Sequence, residues 1–204
     1  MTNQGSAVAE ELARSGEETE GGRPMRADAR RNRERIVAAA REVFAEDGAS
    51  ASMEAIARRA GVGVGTLYRH FPNRFDVVEA VYLNDVDELT AAARHAVDEL
   101  EPSEAMDTFF DAFLRYAQTK RTLLTELQQG FEKNPGFRSR CKERIDEAFD
   151  LVIDNARRAG VVRSDVEGWE LTQLMSPVCT NPNIEPEQSR RLLGMILDGL
   201  RARS

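Results

Sequence analysis

Residues 52–74, Ser-Met-Glu-Ala-Ile-Ala-Arg-Arg-Ala-Gly-Val-Gly-Val-Gly-Thr-Leu-Tyr-Arg-His-Phe-Pro-Asn-Arg, decide the fold. They read as two short helices joined by a tight turn. Ser52 is an N-cap type, and Glu54 in the first turn suits the positive end of the helix dipole. Ile56, Ala57 and Ala60 recur at helical spacing and form one apolar stripe. Gly61 stops this helix, because the left-handed C′ conformation is easiest for glycine. After Val62 and Gly63 a second helix runs to about Phe71, with Leu67 and Phe71 facing inward. Thr66, Tyr68, Arg69 and His70 are left on its other faces. The result is a helix-turn-helix whose second helix offers hydroxyls, a cation and an imidazole.

The stretch Arg33 to Tyr82 resembles the DNA-binding domain of the tetracycline-repressor (TetR) family. The specific part is the run Ala60-Gly61-Val62, then Gly65-Thr66-Leu67-Tyr68, then His70-Phe71. Ile36, Ala39, Ala40, Phe44, Gly48, Ser52, Ile56, Ala57 and Arg74 add to it. The resemblance implies phosphate contacts from Ser52, Thr66, Tyr68, His70 and Arg74, the last standing where the family usually has lysine. It places base readout at Val64, Gly65 and Thr66, with Arg69 further along. The chain departs from the commoner pattern at Gly63, where a small polar cap is usual, and at Val64, where a polar or basic residue is usual. Val64 cannot hydrogen-bond a base but can touch a thymine methyl, which shifts direct readout toward Arg69, a residue equally suited to phosphate. Tyr68 also reads as a core aromatic with its hydroxyl at the edge, and His70 as a helix C-cap.

The net charge of −7 becomes informative once divided. Residues 26–75 carry +4, residues 76–204 carry −8 and residues 1–25 carry −3. A basic head on an acidic body presents one face to phosphates and repels nucleic acid elsewhere. No run of 18 apolar residues exists, so no membrane span is expected. The N-terminus lacks a basic region followed by an apolar run, so no secretory signal is expected either. Cys141 and Cys179 lack CxxC or Cys/His spacing and read as two reduced thiols of a cytoplasmic protein.

Around the motif, residues 1–25 read as a disordered tail, poor in large apolar residues. Arg23, Arg26, Arg30, Arg31, Arg33 and Arg35 follow, either as a soluble basic leader or as an arm entering a minor groove. A first helix is expected from about Asp28 to Asp47, with Ile36, Ala40, Val43 and Phe44 on its packing stripe. It completes a head over residues 26–75. Asn73 caps a long helix running to about Leu100, expected to connect head and body. The body, within residues 76–204, then shows helices from Pro102, around Leu123–Phe131, over Phe137–Ala159, over Val166–Cys179 and over Pro186–Arg201. Breaks are expected at Lys120-Arg121, at Lys133-Asn134-Pro135-Gly136 and at Gly160. The fold class is therefore all-α: a three-helix head plus a helical bundle for ligand binding and dimerisation, about nine helices in total.

The resemblance implies an effector pocket among the middle helices. Phe109, Phe113, Tyr116, Leu127, Phe131, Phe149 and Trp169 are its candidates, and the few charges on these faces point to an apolar effector. The alternative is that these side chains are simply core. Leu193, Ile196, Leu197 and Leu200 form an i, i+3, i+4, i+7 stripe on a helix that needs more than one neighbour, and the resemblance implies that the last two helices, with Gly194 and Trp169, form a two-fold dimer interface. A homodimer reads two half-sites, so a palindromic operator on double-stranded DNA is expected. The reading is a DNA-binding regulator, a repressor released by a small effector. The alternatives are a regulator without an effector, or an activator. An enzyme is disfavoured: Gly61–Gly65 follows a helix rather than a strand, and His70 and His95 lie in no catalytic or metal-ligand pattern. No catalytic residue, metal site or cofactor is expected.

Overall fold

Helix-forming runs broken by caps account for the architecture. The computed structural model describes residues 22–202. Among the described residues there are nine α-helices and no strand: α1 (Gly22–Asp47), α2 (Met53–Ala60), α3 (Val64–His70), α4 (Arg74–Glu99), α5 (Pro102–Thr122), α6 (Leu124–Lys133), α7 (Pro135–Arg158), α8 (Gly168–Thr180) and α9 (Pro186–Leu200). A 3-10 turn, Gly48–Ser50, follows α1. One isolated antiparallel bridge joins Val162 to Arg201. The all-α reading holds. Of the expected tail, residues 1–21 lie outside the described residues, and Gly22–Met25 already belong to α1, which therefore begins earlier than Asp28.

The caps act as their residue types dictate. Ser52 Oγ accepts from Ala55 N at 3.1 Å, starting α2. Gly61 ends α2 at φ +64°, a conformation in which a Cβ would be strained. Asn73 and Asp76 form a reciprocal capping box that starts α4. In the head, Ile36, Ala40 and Phe44 of α1 share a buried core with Ile56 and Leu67. Leu67 is fully buried, and such burial contributes about 2 kcal/mol toward holding α3 against the head.

Helix α4 spans 26 residues, roughly 39 Å at 1.5 Å per residue, and buries residues from Val77 to Ala96. It packs between the head and the body helices α5 and α7, so one apolar core runs without a break through both. Two expected loops shrink to single residues. Leu123 alone separates α5 from α6, and Asn134 alone separates α6 from α7. The break expected at Lys120-Arg121 falls two residues later, at Leu123, since both cations lie in the last turn of α5, where they suit the negative helix end. Pro135 and Gly136 open α7 rather than forming a turn, because proline fits the first helical turn.

Candidate nucleic-acid interface

Helix α3 stands at the surface of the head with its inner face fixed by Leu67. Val64 is 38% and Tyr68 43% exposed, high for large apolar or aromatic side chains. Gly65 is open, with nothing within 4 Å of where a Cβ would lie. Thr66 and His70 are half-buried, while Ser52 and Arg69 are exposed. Val64, Gly65, Thr66, Tyr68, Arg69 and His70 thus share α3, while Ser52 caps the start of α2. Tyr68 does not sit in the core. Arg69 lies back along its own helix, its Nε donating to Gly65 O at 3.2 Å and its Nη2 to Thr66 Oγ1 at 3.2 Å.

Arg74 departs from its expected place. It is half-buried between head and body, where it donates to Ala51 O, pairs with Glu126 at 3.1 Å and lies 5.0 Å from the Phe44 ring centroid. These three partners occupy its guanidinium. The arginines read as a leader or arm are helical. Arg30, Arg31, Arg33 and Arg35 belong to α1, and Arg35 Nη2 donates to Ala60 O at 2.5 Å and Gly61 O at 3.3 Å. A cation on the last carbonyls of α2 complements that helix end, so Arg35 braces the motif from behind. Arg59 likewise ties α2 to α1 through Glu42 and Glu46.

A second junction lies on α4. Asp85 is only 2% exposed and neither carboxylate oxygen has an aligned hydrogen-bond donor among the described residues, although Arg41 Nη2 is 3.1 Å from Oδ1. Burial outweighs the attraction of Arg41 and pushes the Asp85 pKa up to about 6. Arg41 also donates to Glu88 at 2.8 Å, so one head arginine spans two acids of the connector helix.

The body contains a cavity of about 360 Å³ reached by α4, α5, α6, α7 and α8. Of the seven expected pocket residues, Phe113, Tyr116 and Phe131 line it. Phe109, Leu127 and Phe149 do not. They are fully buried, and Phe149 makes edge-on contacts at 5.0 Å with both Phe109 and Phe113. Trp169 is on the surface. The lining is also more polar than expected, because Lys120, Arg138, Lys142 and Asp146 reach it beside Tyr82. A larger cleft of about 780 Å³ runs between head and body past Arg41, Phe44, Leu114 and Arg121.

The expected interface stripe divides in two. Leu193 and Leu200 are buried within their own chain, and Ile196 and Leu197 are half-buried. The residues left outward are Trp169, Leu174 and Met195, at 45%, 53% and 65% exposure. Gly194 has nothing within 4 Å of a would-be Cβ, so it leaves room on that side of α9. Cys141 and Cys179 are free and buried, and burial pushes both thiols up to about 11.

Comparison with known proteins bears directly on this arrangement. Residues 36–81 match the family of bacterial regulatory proteins, tetR family, and residues 101–202, half of the chain, match the C-terminal domain of SbtR-like transcriptional regulators. The chain belongs to the TetR family of transcriptional regulators. A TetR transcriptional regulator from Streptomyces coelicolor is 35% identical with a TM-score of 0.72, covering 84% of this chain and 99% of its own. One from Mycobacterium vanbaalenii is 33% identical with a TM-score of 0.68, covering 88% and 100%. An HTH-type transcriptional regulator of Staphylococcus aureus is 33% identical over 132 residues, 64% of this chain and 70% of its own. The helix-turn-helix head is accordingly a TetR DNA-binding domain. Among the described residues no helix is long and apolar enough to cross a membrane.

Within this TetR chain, sequence reasoning missed the groups that join head to body. Arg41, Asp85 and Glu126 carry no motif, and only their apposition in the fold marks them. Asp85 gives one faint signal, an acid on the same helical face as Val78, Val81 and Leu89. Lys120 reads in sequence as punctuation at a helix end rather than as a pocket wall.

Proposed function

We propose that this TetR-family regulator is a homodimeric repressor that grips a palindromic operator through α3 and is released when a small ligand enters the body cavity. The observation that carries the reading is the exposed face of α3, where Val64, Gly65, Tyr68 and Arg69 face outward, with Thr66 half-buried among them, from a helix pinned by Leu67. Ser52, Thr66, Tyr68 and His70 supply phosphate contacts, since hydroxyl and imidazole N–H groups donate to phosphate oxygens. Val64 and Gly65 lie against base edges. Arg69 reads a base or a phosphate after releasing Gly65 O. Arg74 is left out of the contact set and assigned to the head–body junction.

Release follows from connectivity. Phe131 lines the cavity, and its neighbour Gly130 lies so close to the Phe75 ring that a Cβ would approach to 2.0 Å. Phe75 is in the first turn of α4, beside Arg74 and its partner Glu126. A ligand that displaces Phe131 therefore works against the head end of α4, and differential binding to two arrangements is what shifts a regulator between them. Dimerisation is supported by the exposed Trp169 and Leu174 of α8 and Met195 of α9, and by the open space at Gly194.

Fluorescence anisotropy on the DNA upstream of its own gene, over a salt series, tests the reading. Binding at roughly 10⁻⁸ to 10⁻¹¹ M with a steep salt slope and a palindromic footprint is expected, with loss in Tyr68→Ala that stays folded. If neither that DNA nor any site selected from random duplexes is preferred, operator recognition is refuted.

A further inference from the structure

Lys120 stands in the body cavity with no carboxylate partner among the described residues. Among these its Nζ reaches Ser176 Oγ, at a long 3.5 Å, and the Tyr116 ring, 5.7 Å to the centroid. Burial and the like charge of Arg138 both lower its pKa. The same wall carries Arg138, which has no ion-pair partner among the described residues. The cavity's one acid, Asp146, is already committed: it pairs with Lys142 and accepts from Thr172 Oγ1 at 2.7 Å. With Lys142 and Asp146 offsetting each other, the half-buried Lys120 and, at the exposed edge of the cavity, Arg138 are the cations left without an acidic partner among the described residues.

A hydroxyl donor lies alongside. Tyr82 and Tyr116 share a hydrogen bond at 2.9 Å, in which one phenol donates and the other accepts. The accepting phenol keeps its own proton for a further acceptor. The remaining wall is apolar, from Phe113, Phe131 and Ile145.

We propose that this cavity binds a small amphipathic organic anion, its acid group between Lys120 and Arg138 and its apolar part against Phe113, Tyr116 and Phe131. The proposal rests on reading the cavity as the effector site and replaces the apolar effector expected from the sequence. An anion restores charge balance at a cation that folding has partly desolvated, and a neutral ligand of the same shape leaves that cost in place. A 360 Å³ volume sets the size at that of a small aromatic or short-chain acid.

The test uses the full chain and two dyes with the same aromatic body, anilinonaphthalene sulfonate and neutral phenylnaphthylamine. Fluorescence titration is expected to show the sulfonate saturating one site per chain, displaced by naphthoate but not by naphthamide. Lys120→Met and Arg138→Met are each expected to weaken the sulfonate by about tenfold or more, as for loss of a charge-assisted contact, and to leave the neutral dye within about twofold. Lys120→Arg, which keeps the charge, should retain binding and guards against a folding defect. Equal binding of both dyes with no effect of Lys120→Met, or saturation by neither, overturns the proposal. Operator anisotropy on the same samples separates the two readings. Operator binding without dye discrimination leaves the regulator and removes the anion. Dye discrimination with operator binding unmoved by naphthoate leaves the anion site and removes its effector role.

Discussion

Replacing Asp85 by asparagine should make the protein more stable at neutral pH, against the usual expectation for cutting an ion pair. Asp85 is the acid of the Arg41 junction, and its pKa rises from 3.8 to about 6 because desolvation outweighs Arg41. A folded-state pKa raised above the unfolded value means that the folded chain holds the proton more tightly. The stability this provides is complete below about pH 4 and is lost as the pH climbs through about 6. That span is worth about 3 kcal/mol once Asp85 is fully ionised, an order-of-magnitude figure for a side chain almost wholly buried. The substituted amide would be neutral at every pH and nearly the same shape. Urea unfolding of the parent and Asp85→Asn from pH 4 to pH 8 should therefore give curves within about 1 kcal/mol at the acid end. Above pH 7 they should diverge, with the variant the more stable by about 1–3 kcal/mol. A variant less stable than the parent at pH 8 would refute the reasoning, by showing that Arg41 and the carboxylate attract more than burial costs.

Four further outcomes are expected. Tyr68→Phe removes one exposed hydroxyl and should weaken operator binding by about 1 kcal/mol in anisotropy, while Arg69→Ala should lower the salt slope by about one if that side chain meets phosphate. Gly168→Ala places a methyl 2.5 Å from the Asp150 backbone N, which cannot step aside as a side chain would, so thermal unfolding should report a loss of about 1–3 kcal/mol. Leu174→Asp combined with Met195→Asp puts charges on the outward face of α8 and α9, and sedimentation should show a monomer where the parent sediments as a dimer.

The head is legible in the sequence because its signals are local. Ser52, Gly61 and Asn73 each act within three or four residues, and the apolar spacing of Ile56, Ala60 and Leu67 maps directly onto burial. The start of α1 is hidden because Gly22 and Pro24 look like punctuation, although proline is tolerated in a first helical turn. The pocket is legible only in part. Phe109, Phe113 and Phe149 have the same apolar character and periodicity, and only three-dimensional packing decides which of them meets a cavity. The cations of the lining arrive from α5 and α7, so no single helical face displays them together. Arg74 is misplaced by sequence reasoning because a charge at a motif's edge looks alike whether it faces solvent or a neighbouring helix.

The single-residue joints at Leu123 and Asn134 have a consequence for how the body can deform. Helix α6 has ten residues and is tied at each end by one non-helical residue, so it has no slack to absorb a displacement. Any tilt must be taken up by the backbone torsions of those two residues or handed on whole to α5 and α7. The segment behaves as a short crank between two pivots, with Phe131 on one throw and Gly130 bearing on Phe75. Chain length is thus as much a constraint here as side-chain chemistry. On the release mechanism proposed above, a single residue inserted at either pivot would give the crank free play and uncouple the cavity from the head.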